Sequence, residues 1–247
     1  ARRTGREIDD QVESLGCELG AGSDEDATYF GLSAPSEFLP ALLDVVVDKA
    51  DLTQSQVRVA APAMARATPE YFPALVANAV FGGGFTSRLM EAIRVNRGLS
   101  YGVRSRFAMS RGAGIFYMSS FTKVETTAEL LQVAFDEAER FCAGGPSAEE
   151  LERAQAYLAG LYPLSLETHD QVAERIADMR LYGIPESEVT GYRERVRAVT
   201  AEECREVARR YFPLGKGVVV AVGPARQVAA ALERFGPVKV IPARRVL

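Results

Sequence analysis

An arginine and a tyrosine seven positions apart have the side-chain chemistry to act together on a peptide. Arg94 falls in the last turn of a predicted helix over residues 87–97, and Tyr101 comes near the start of a predicted strand. Gly98 stops the helix between them, so a tight turn brings a guanidinium and a phenol hydroxyl to one rim. Both groups donate hydrogen bonds, which suits a peptide carbonyl or the oxyanion that forms when water attacks it.

The same two residues also have a purely structural explanation. A cation in the last turn of a helix favours its negative end, which would account for Arg94. A tyrosine at the start of a strand can be half-buried in the core, which would account for Tyr101. Spacing alone favours this structural interpretation.

Three glycines at positions 82–84 precede the helix, in the segment FGGGFTSRLMEAIRVNRGLSY. They do not form a phosphate loop, because the run has neither the lysine of GxxxxGK[ST] nor the spacing of GxGxxG. A joint between two helices, with Thr86 or Ser87 as the N-cap, explains them more simply. A third interpretation is that bare backbone at this joint lets a peptide approach closely.

The histidine count limits the metal chemistry of the chain. His169 is the single histidine among 247 residues, so the chain cannot build HxxEH, HExxH or a two-histidine facial site. Thr168 and Gln171 form a predicted capping box, which places His169 in the first turn of a helix. We interpret His169 as a polar surface residue.

The composition is that of a soluble globular protein. Hydrophobic residues make up 47% of the chain and charged residues 25%, and the net charge of −4 comes from mixed signs, so we expect no nucleic-acid partner. No apolar run reaches the roughly 18 to 20 residues that cross a bilayer. The bacterial cytoplasm or periplasm fits the alanine- and arginine-rich composition, and nothing in the sequence chooses between them. Three isolated cysteines, Cys17, Cys142 and Cys204, are interpreted as small apolar residues.

Predicted helices and strands alternate along the chain, which favours an α+β fold. Two short strands around a polar turn are predicted within residues 17–35, and a hairpin of two strands within residues 99–121. A further strand lies near residues 55–61, and a strand, a helix and a short strand end the chain. The predicted helices cover residues 6–15, 36–45, 69–80, 87–97, 126–141, 148–162 and 201–212, besides the helix that begins at Thr168.

The segment GGGFTSRLMEAIRVNRGLSYGV resembles the second-domain motif of the pitrilysin/insulinase family of zinc peptidases, which includes the mitochondrial processing peptidase and the respiratory-chain core proteins. The shared features are the glycine-rich turn, SRL, GLSYG, and an arginine and a tyrosine seven positions apart. In that family these two residues contact the substrate near a zinc ion held by the other αβ domain, and they match Arg94 and Tyr101. The resemblance implies that Arg94 and Tyr101 are catalytic. It places the substrate beside Gly82, Gly83, Gly84, Ser87 and Arg88.

The resemblance extends over most of the chain and implies two metallopeptidase αβ domains of the processing-peptidase type, each a mixed or antiparallel sheet packed with helices. Residues 1–45 resemble a fragment of the first domain, just after its HxxEH motif, and residues 46–247 a complete second domain. Since family members pair domains of similar size, we expect a stretch to be missing near Val45 to Lys49. A gap in space there would support this expectation, and a compact link would contradict it.

Three functions follow from the resemblance. The favoured one is the metal-free subunit of a zinc-dependent endopeptidase, in a heterodimer or homodimer whose zinc is bound by another domain or chain. The second is a zinc-bearing protomer whose HxxEH motif lies ahead of Ala1, and the third is a catalytically silent scaffold. In either peptidase, a peptide substrate is expected to add a strand to an exposed sheet edge, at residues 113–121 or 27–33.

Overall fold

Strands in which apolar and polar residues alternate form a six-stranded mixed sheet. The structure is a computed structural model, and it describes residues 18–23, 28–33, 44–212 and 217–242. The strands are β1 Glu18–Ser23, β2 Thr28–Ser33, β3 Asp44–Asp48, β4 Gln54–Ala63, β5 Val103–Met109, β6 Gly114–Lys123, β7 Val218–Gly223 and β8 Val238–Pro242. The large sheet has the order β5-β6-β4-β7-β3-β8. The first four strands in this order pair antiparallel, and β3 pairs parallel with both β7 and β8. The predicted α+β class is confirmed.

The β1 and β2 strands pair antiparallel in a separate two-stranded sheet, as expected for strands on either side of a polar turn. The predicted hairpin is also present, since β5 and β6 pair antiparallel and the Ser110 N–H donates to the Ala113 carbonyl at 2.9 Å. The predicted helix over residues 6–15 and Cys17 lie outside the described residues.

The predicted helices within the described residues appear in order, and two short helices over residues 186–190 and 192–198 are present that were not predicted. An unusual feature is a π-helical segment that ends within the glycine run and a second that follows the run. The α-helices are α1 Tyr71–Asn78, α2 Thr127–Gly144, α3 Ala148–Leu161, α4 His169–Tyr182, α5 Glu186–Thr190, α6 Tyr192–Ala198, α7 Ala201–Tyr211 and α8 Ala225–Leu232. The π-helical segments are Ala79–Gly83 and Met90–Val95, and short 3-10 turns occupy Val124–Thr126 and Pro163–Leu166. Such single-turn π segments often occur at functional sites.

Three helices begin at the capping boxes predicted from the sequence. The pairs are Ser147 with Glu150, Thr168 with Gln171, and Thr200 with Glu203. In each pair the hydroxyl accepts from the backbone N–H three residues on, and the longer side chain accepts the N-cap N–H in return. His169 is exposed in the first turn of α4, as predicted.

The helices cover one face of the large sheet and bury a core rich in phenylalanine. Phe212 packs at 4.3 Å from Phe81 and 4.7 Å from Phe116, measured between ring centroids. Along β4, Val57 and Val59 face this core, while Arg58 between them is exposed. The opposite face of the sheet is left open by the described helices.

The chain around residues 44–49 differs from two expectations. Asp44 and Val45, placed at the end of a helix over residues 36–45, begin β3 instead, because this β-branched run pairs on both sides with β7 and β8. The rest of that predicted helix lies outside the described residues. The Lys49 backbone N–H donates to the Gly223 carbonyl at 3.1 Å and a turn leads directly into β4, so the link is compact and the expected gap is absent.

The expected position of the open sheet edge also needs correction. Of residues 113–121, all but the first fall in β6, which is paired on both sides, with β5 and β4. The edges of the large sheet are β5 and β8. Residues 28–33 form β2, which pairs with β1 and with no other described strand. Strand order depends on contacts between distant segments, which local periodicity does not encode.

Candidate functional site

The glycine run forms a joint between two helical segments. Close packing around Gly82, rather than the approach of a peptide, explains the first glycine. Gly82 is buried, and a Cβ atom there would lie 2.5 Å from Ser105 Oγ and 2.7 Å from Leu89 Cδ1. The Ser105 hydroxyl in turn donates to Asn78 Oδ1 at 2.7 Å, which ties β5 to the end of α1. Glycine at this position therefore lets two helical segments and a strand approach one another.

The second and third glycines are more accessible than the first. Gly83 is exposed, although a Cβ atom there would lie 2.5 Å from Asn78 Nδ2. At Gly84 the nearest atom to a built Cβ would be the Ala79 carbonyl oxygen at 3.5 Å, an ordinary contact. The backbone at these two positions is the part of the run that a substrate could reach.

The Ser87 side chain does not form the predicted N-cap. Its hydroxyl is buried and has no hydrogen-bond partner among the described residues. The backbone is used instead, since the Ser87 N–H donates to the Gly84 carbonyl at 3.2 Å and the Ser87 carbonyl accepts from the Glu91 N–H at 3.0 Å. Burial makes direct contact with a substrate difficult, and substrate binding by Ser87 stays a prediction.

Arg88 ties the segment to the start of α3. Its Nε and Nη2 atoms each donate to Glu150 at 2.7 Å, and Nη2 also donates to the Gly145 carbonyl at 2.8 Å. Hydrogen bonding from Arg88 lowers the pKa of Glu150 to about 2. Because Glu150 also completes the capping box of α3, one ion pair joins the segment to a helix start. These contacts give Arg88 a structural role, and substrate binding by Arg88 stays a prediction.

The turn between Arg94 and Tyr101 closes as the sequence predicts. Gly98 has φ of +60°, its N–H donates to the Arg94 carbonyl at 3.2 Å, and the Leu99 N–H donates to the Ile93 carbonyl at 2.9 Å. These nested bonds resemble a Schellman ending widened by one residue, as expected after a π-helical turn. The left-handed conformation at residue 98 is one that glycine adopts without strain.

The Tyr101 side chain is 82% exposed, so the half-buried core position considered from the sequence is wrong. The residues on either side anchor the backbone instead, since the Ser100 and Ser120 hydroxyls both donate to the Gly102 carbonyl at 2.9 Å. The phenol hydroxyl forms no hydrogen bond within the part of the chain that the structure describes. An exposed aromatic ring on an anchored turn is available to a ligand.

Arg94 is half-buried and lies against the ring of Phe85, which was not among the residues predicted to form the site. Its guanidinium carbon is 4.8 Å from the centroid of the Phe85 ring, and Phe85 is 74% exposed. Arg94 makes no ion pair with any residue in the described ranges. Stacking restricts the guanidinium while leaving its donors unused. The sequence did contain a signal for Phe85, because an aromatic residue inside a glycine-rich turn is not expected to be buried.

The described residues provide no metal site. No group of three histidine, cysteine, aspartate or glutamate side chains within them is arranged to bind a metal ion. Cys142 and Cys204 are buried free thiols, and burial raises their pKa values to about 11 and about 12, which keeps them protonated at neutral pH. Their interpretation as small apolar residues is confirmed. None of the described helices combines the length and apolarity that spanning a membrane requires.

Comparison with known proteins relates the chain to a peptidase family. Residues 11–158 match the family model of the peptidase M16 inactive domain. An uncharacterized zinc protease from Streptomyces coelicolor is 29% identical over 178 residues, which are 72% of this chain and 39% of that protein. A non-peptidase homolog from Helicobacter pylori is 38% identical over 89 residues, which are 36% of this chain and 21% of that protein.

Solved structures agree with this relationship. The peptidase M16 inactive domain from Pseudomonas fluorescens superposes with a TM-score of 0.68 at 26% identity, over 74% of this chain and 44% of that one. A protease from Helicobacter pylori gives the same TM-score at 18% identity, over 82% and 48%, and supports the fold alone. The chain thus spans less than half the length of each of these relatives.

Proposed function

Since the chain belongs to the M16, or pitrilysin/insulinase, family of peptidases and matches its inactive domain, we propose that it is the metal-free part of a zinc-dependent endopeptidase. It supplies Arg94 and Tyr101 to a peptide that is hydrolysed at a zinc site on another domain or chain, in a heterodimer or homodimer. A single histidine gives this chain no zinc site of its own, so its contribution is to bind and orient the substrate.

The observation that carries this proposal is the exposure of Tyr101 at the end of an anchored turn that begins at Arg94. A tyrosine placed for packing would bury its ring, whereas this ring is 82% exposed and its hydroxyl has no partner among the described residues. The guanidinium at the other end of the turn is oriented by Phe85 and makes no ion pair there. Both groups thus keep hydrogen-bond donors that no described acceptor uses, and such donors can stabilise an anionic oxygen.

The two side chains act by donating hydrogen bonds. In the bound peptide they would donate to a backbone carbonyl next to the cleaved bond, and the bonds strengthen as negative charge develops on oxygen. The permanent charge of the guanidinium favours the transition state over the neutral ground state. Gly83 and Gly84, beside them, leave backbone exposed along which a peptide can lie.

A second function, a catalytically silent scaffold, is favoured by the similarity to the Helicobacter pylori non-peptidase homolog. The zinc-bearing protomer, with its HxxEH motif outside the present sequence, is the remaining alternative. These functions differ in two measurable properties of the isolated complex, its zinc content and its peptidase activity. A scaffold has no peptidase activity of its own, and a zinc-bearing protomer carries zinc on the same polypeptide.

The test is the kinetics of the complex that copurifies with the tagged chain, measured on a quenched fluorescent peptide library. We expect Arg94→Ala to lower kcat roughly 100-fold, as loss of an oxyanion donor does, with little change in KM. Tyr101→Phe removes only the hydroxyl and should also lower kcat. The matched control is Tyr157→Phe, because Tyr157 is a 51% exposed tyrosine on α3.

The outcomes separate the three functions. Unchanged kcat in both site variants of an active complex would rule out the proposed role of Arg94 and Tyr101. A wild-type complex that cleaves no peptide supports the scaffold instead. Zinc that remains with this polypeptide after denaturing separation from its partners, with a mass greater than that of the present sequence, would support the zinc-bearing protomer.

A further inference from the structure

The basic residues of the six-stranded sheet all lie on the face that the described helices leave open. Because successive side chains of a strand point to opposite faces of the sheet, these basic side chains lie on the face opposite to core residues such as Val57, Val103 and Phe107. They are Arg58, Arg104, Arg106, Lys123 and Lys239, and each is exposed. The chain as a whole has a net charge of −4, so this face is segregated by charge from the rest.

Carboxylates do not balance this face from within the sheet. The only acidic residues in the six strands belong to β3, and one of them, Asp48, accepts a hydrogen bond from the Ala225 N–H at 2.9 Å at the start of α8. Within the described ranges, neither Arg104 nor Arg106 forms an ion pair. The two exposed guanidinium groups on β5 are therefore not held in an ion pair by any described carboxylate.

The register brings three of these cations close together. Arg104 and Arg58 both pair with Ser119 of β6, from its two sides, which sets their Cα atoms roughly 10 Å apart. Arg104 and Arg106 are two positions apart on β5, a separation of about 7 Å along the strand. The charge is thus concentrated beside one edge of the sheet.

The β5 strand is that edge, and it begins two residues after Tyr101. It pairs with β6 on one side, and no described strand pairs with the other side. Edge strands present free N–H and C=O groups, which form hydrogen bonds with an added extended peptide. A peptide bound along β5 would therefore continue toward the turn that contains Tyr101.

We propose that β5 binds an extended peptide by strand addition, and that Arg104 and Arg106 select acidic side chains two positions apart in that peptide. Side chains of an added strand alternate between faces, so residues i and i+2 would lie beside the two arginines on the open face. The inference deepens the proposed function by naming its substrate class. Its relevance to cleavage rests on that function, but binding is measurable without any cleavage.

The first test compares three labelled ten-residue peptides by fluorescence anisotropy with the purified 247-residue chain. All have a threonine and valine background, with two glutamates at i and i+2, two glutamates at i and i+1, or two lysines at i and i+2. We expect the first peptide to bind about threefold more tightly than the second and about tenfold more tightly than the third. Raising the salt from about 0.05 M to about 0.5 M should weaken its binding strongly.

The second test uses charge reversal with a matched control. The double variant R104E/R106E should lose at least about tenfold in affinity for the first peptide and gain affinity for the lysine peptide. The control R193E/R226E changes two exposed helical arginines, with the same change in net charge, and should bind like the wild type. If circular dichroism shows that R104E/R106E does not fold, the charge-neutral variant R104Q/R106Q replaces it in the same binding assay.

Several results would overturn the inference. These are equal affinity for the three peptides, unchanged binding by R104E/R106E, and tighter binding of a ten-nucleotide single-stranded DNA than of the acidic peptide. Because these readouts need no zinc and no partner, a failure here is distinct from a failure of Arg94 and Tyr101 to affect catalysis.

Discussion

The position of a single side chain relative to solvent decides how Tyr101 is interpreted. Its type and its distance from Arg94 were visible in the sequence, but the same spacing fitted a half-buried core residue. Hydrogen bonds from two serines to the Gly102 carbonyl fix the turn and leave the ring 82% exposed. Phe85, which lies against Arg94, became a candidate only when the loop conformation was known.

The Arg88–Glu150 pair should make stability depend on pH in a defined window. Hydrogen bonding lowers the pKa of Glu150 from 4.5 to about 2, so its contribution is complete above pH 4.5 and is lost as the pH falls through about 2. Glu150→Gln should lower the free energy of unfolding at pH 7 by about 1 to 2 kcal/mol, because the pair is only partly screened by solvent. Urea denaturation at pH values from 2 to 7 measures this difference, which should shrink toward pH 2.

The matched control for this pH prediction is Glu149→Gln. The neighbouring Glu149 side chain is 89% exposed and forms only a surface pair with Arg153. Its substitution should leave stability and its pH dependence nearly unchanged. A Glu150→Gln deficit that persisted unchanged at pH 2 would refute the assignment of this energy to an ionised pair.

At the scale of elements, helix boundaries were readable from capping boxes, but strand order was not. The three capping boxes each start a helix, because the bonds that form them join residues only three positions apart. By contrast, β6 looked like an edge and is internal, and β3 was placed partly in a helix. Strand order is set by pairings between segments as far apart as β4 and β7.

The glycine joint gives an element-scale prediction about packing. Gly82→Ala should destabilise the protein by about 1 to 3 kcal/mol, since its Cβ would lie 2.5 Å from Ser105 Oγ, where β5 and α1 are tied together. Gly84→Ala is the control, with its nearest atom at 3.5 Å, and should change stability by less than about 0.5 kcal/mol. Thermal and urea unfolding measure both. Equal effects of the two substitutions would show that packing at residue 82 is not the reason for glycine.

At the scale of the whole molecule, a single histidine excludes a two-histidine zinc site built by this chain alone. We expect the purified chain, incubated with zinc and then dialysed, to retain no stoichiometric metal, because it has one histidine and three isolated cysteines, of which Cys142 and Cys204 are buried protonated thiols. Elemental analysis of the chain measures this, with His169→Ala as the control. One zinc per wild-type chain that is lost in His169→Ala would contradict the expectation.

The family model spans residues 11–158 and crosses the predicted boundary between residues 45 and 46, while the structure begins β3 at Asp44. The division into a fragment of one domain and a complete second domain stays a prediction. The sheet itself takes in residues from both sides of that boundary.

The sequence alone determined the α+β class, the helix starts, the tight turn at Gly98, the absence of an internal histidine-pair metal site and the family resemblance. Each of these depends on residue type or on contacts within a few positions, which the order of residues specifies directly. The tertiary structure decided that Gly82 serves packing, that Arg88 is bound by Glu150, that Tyr101 is exposed and that β5 is an edge. Those properties depend on which distant segments lie side by side, and so they follow only from the folded chain.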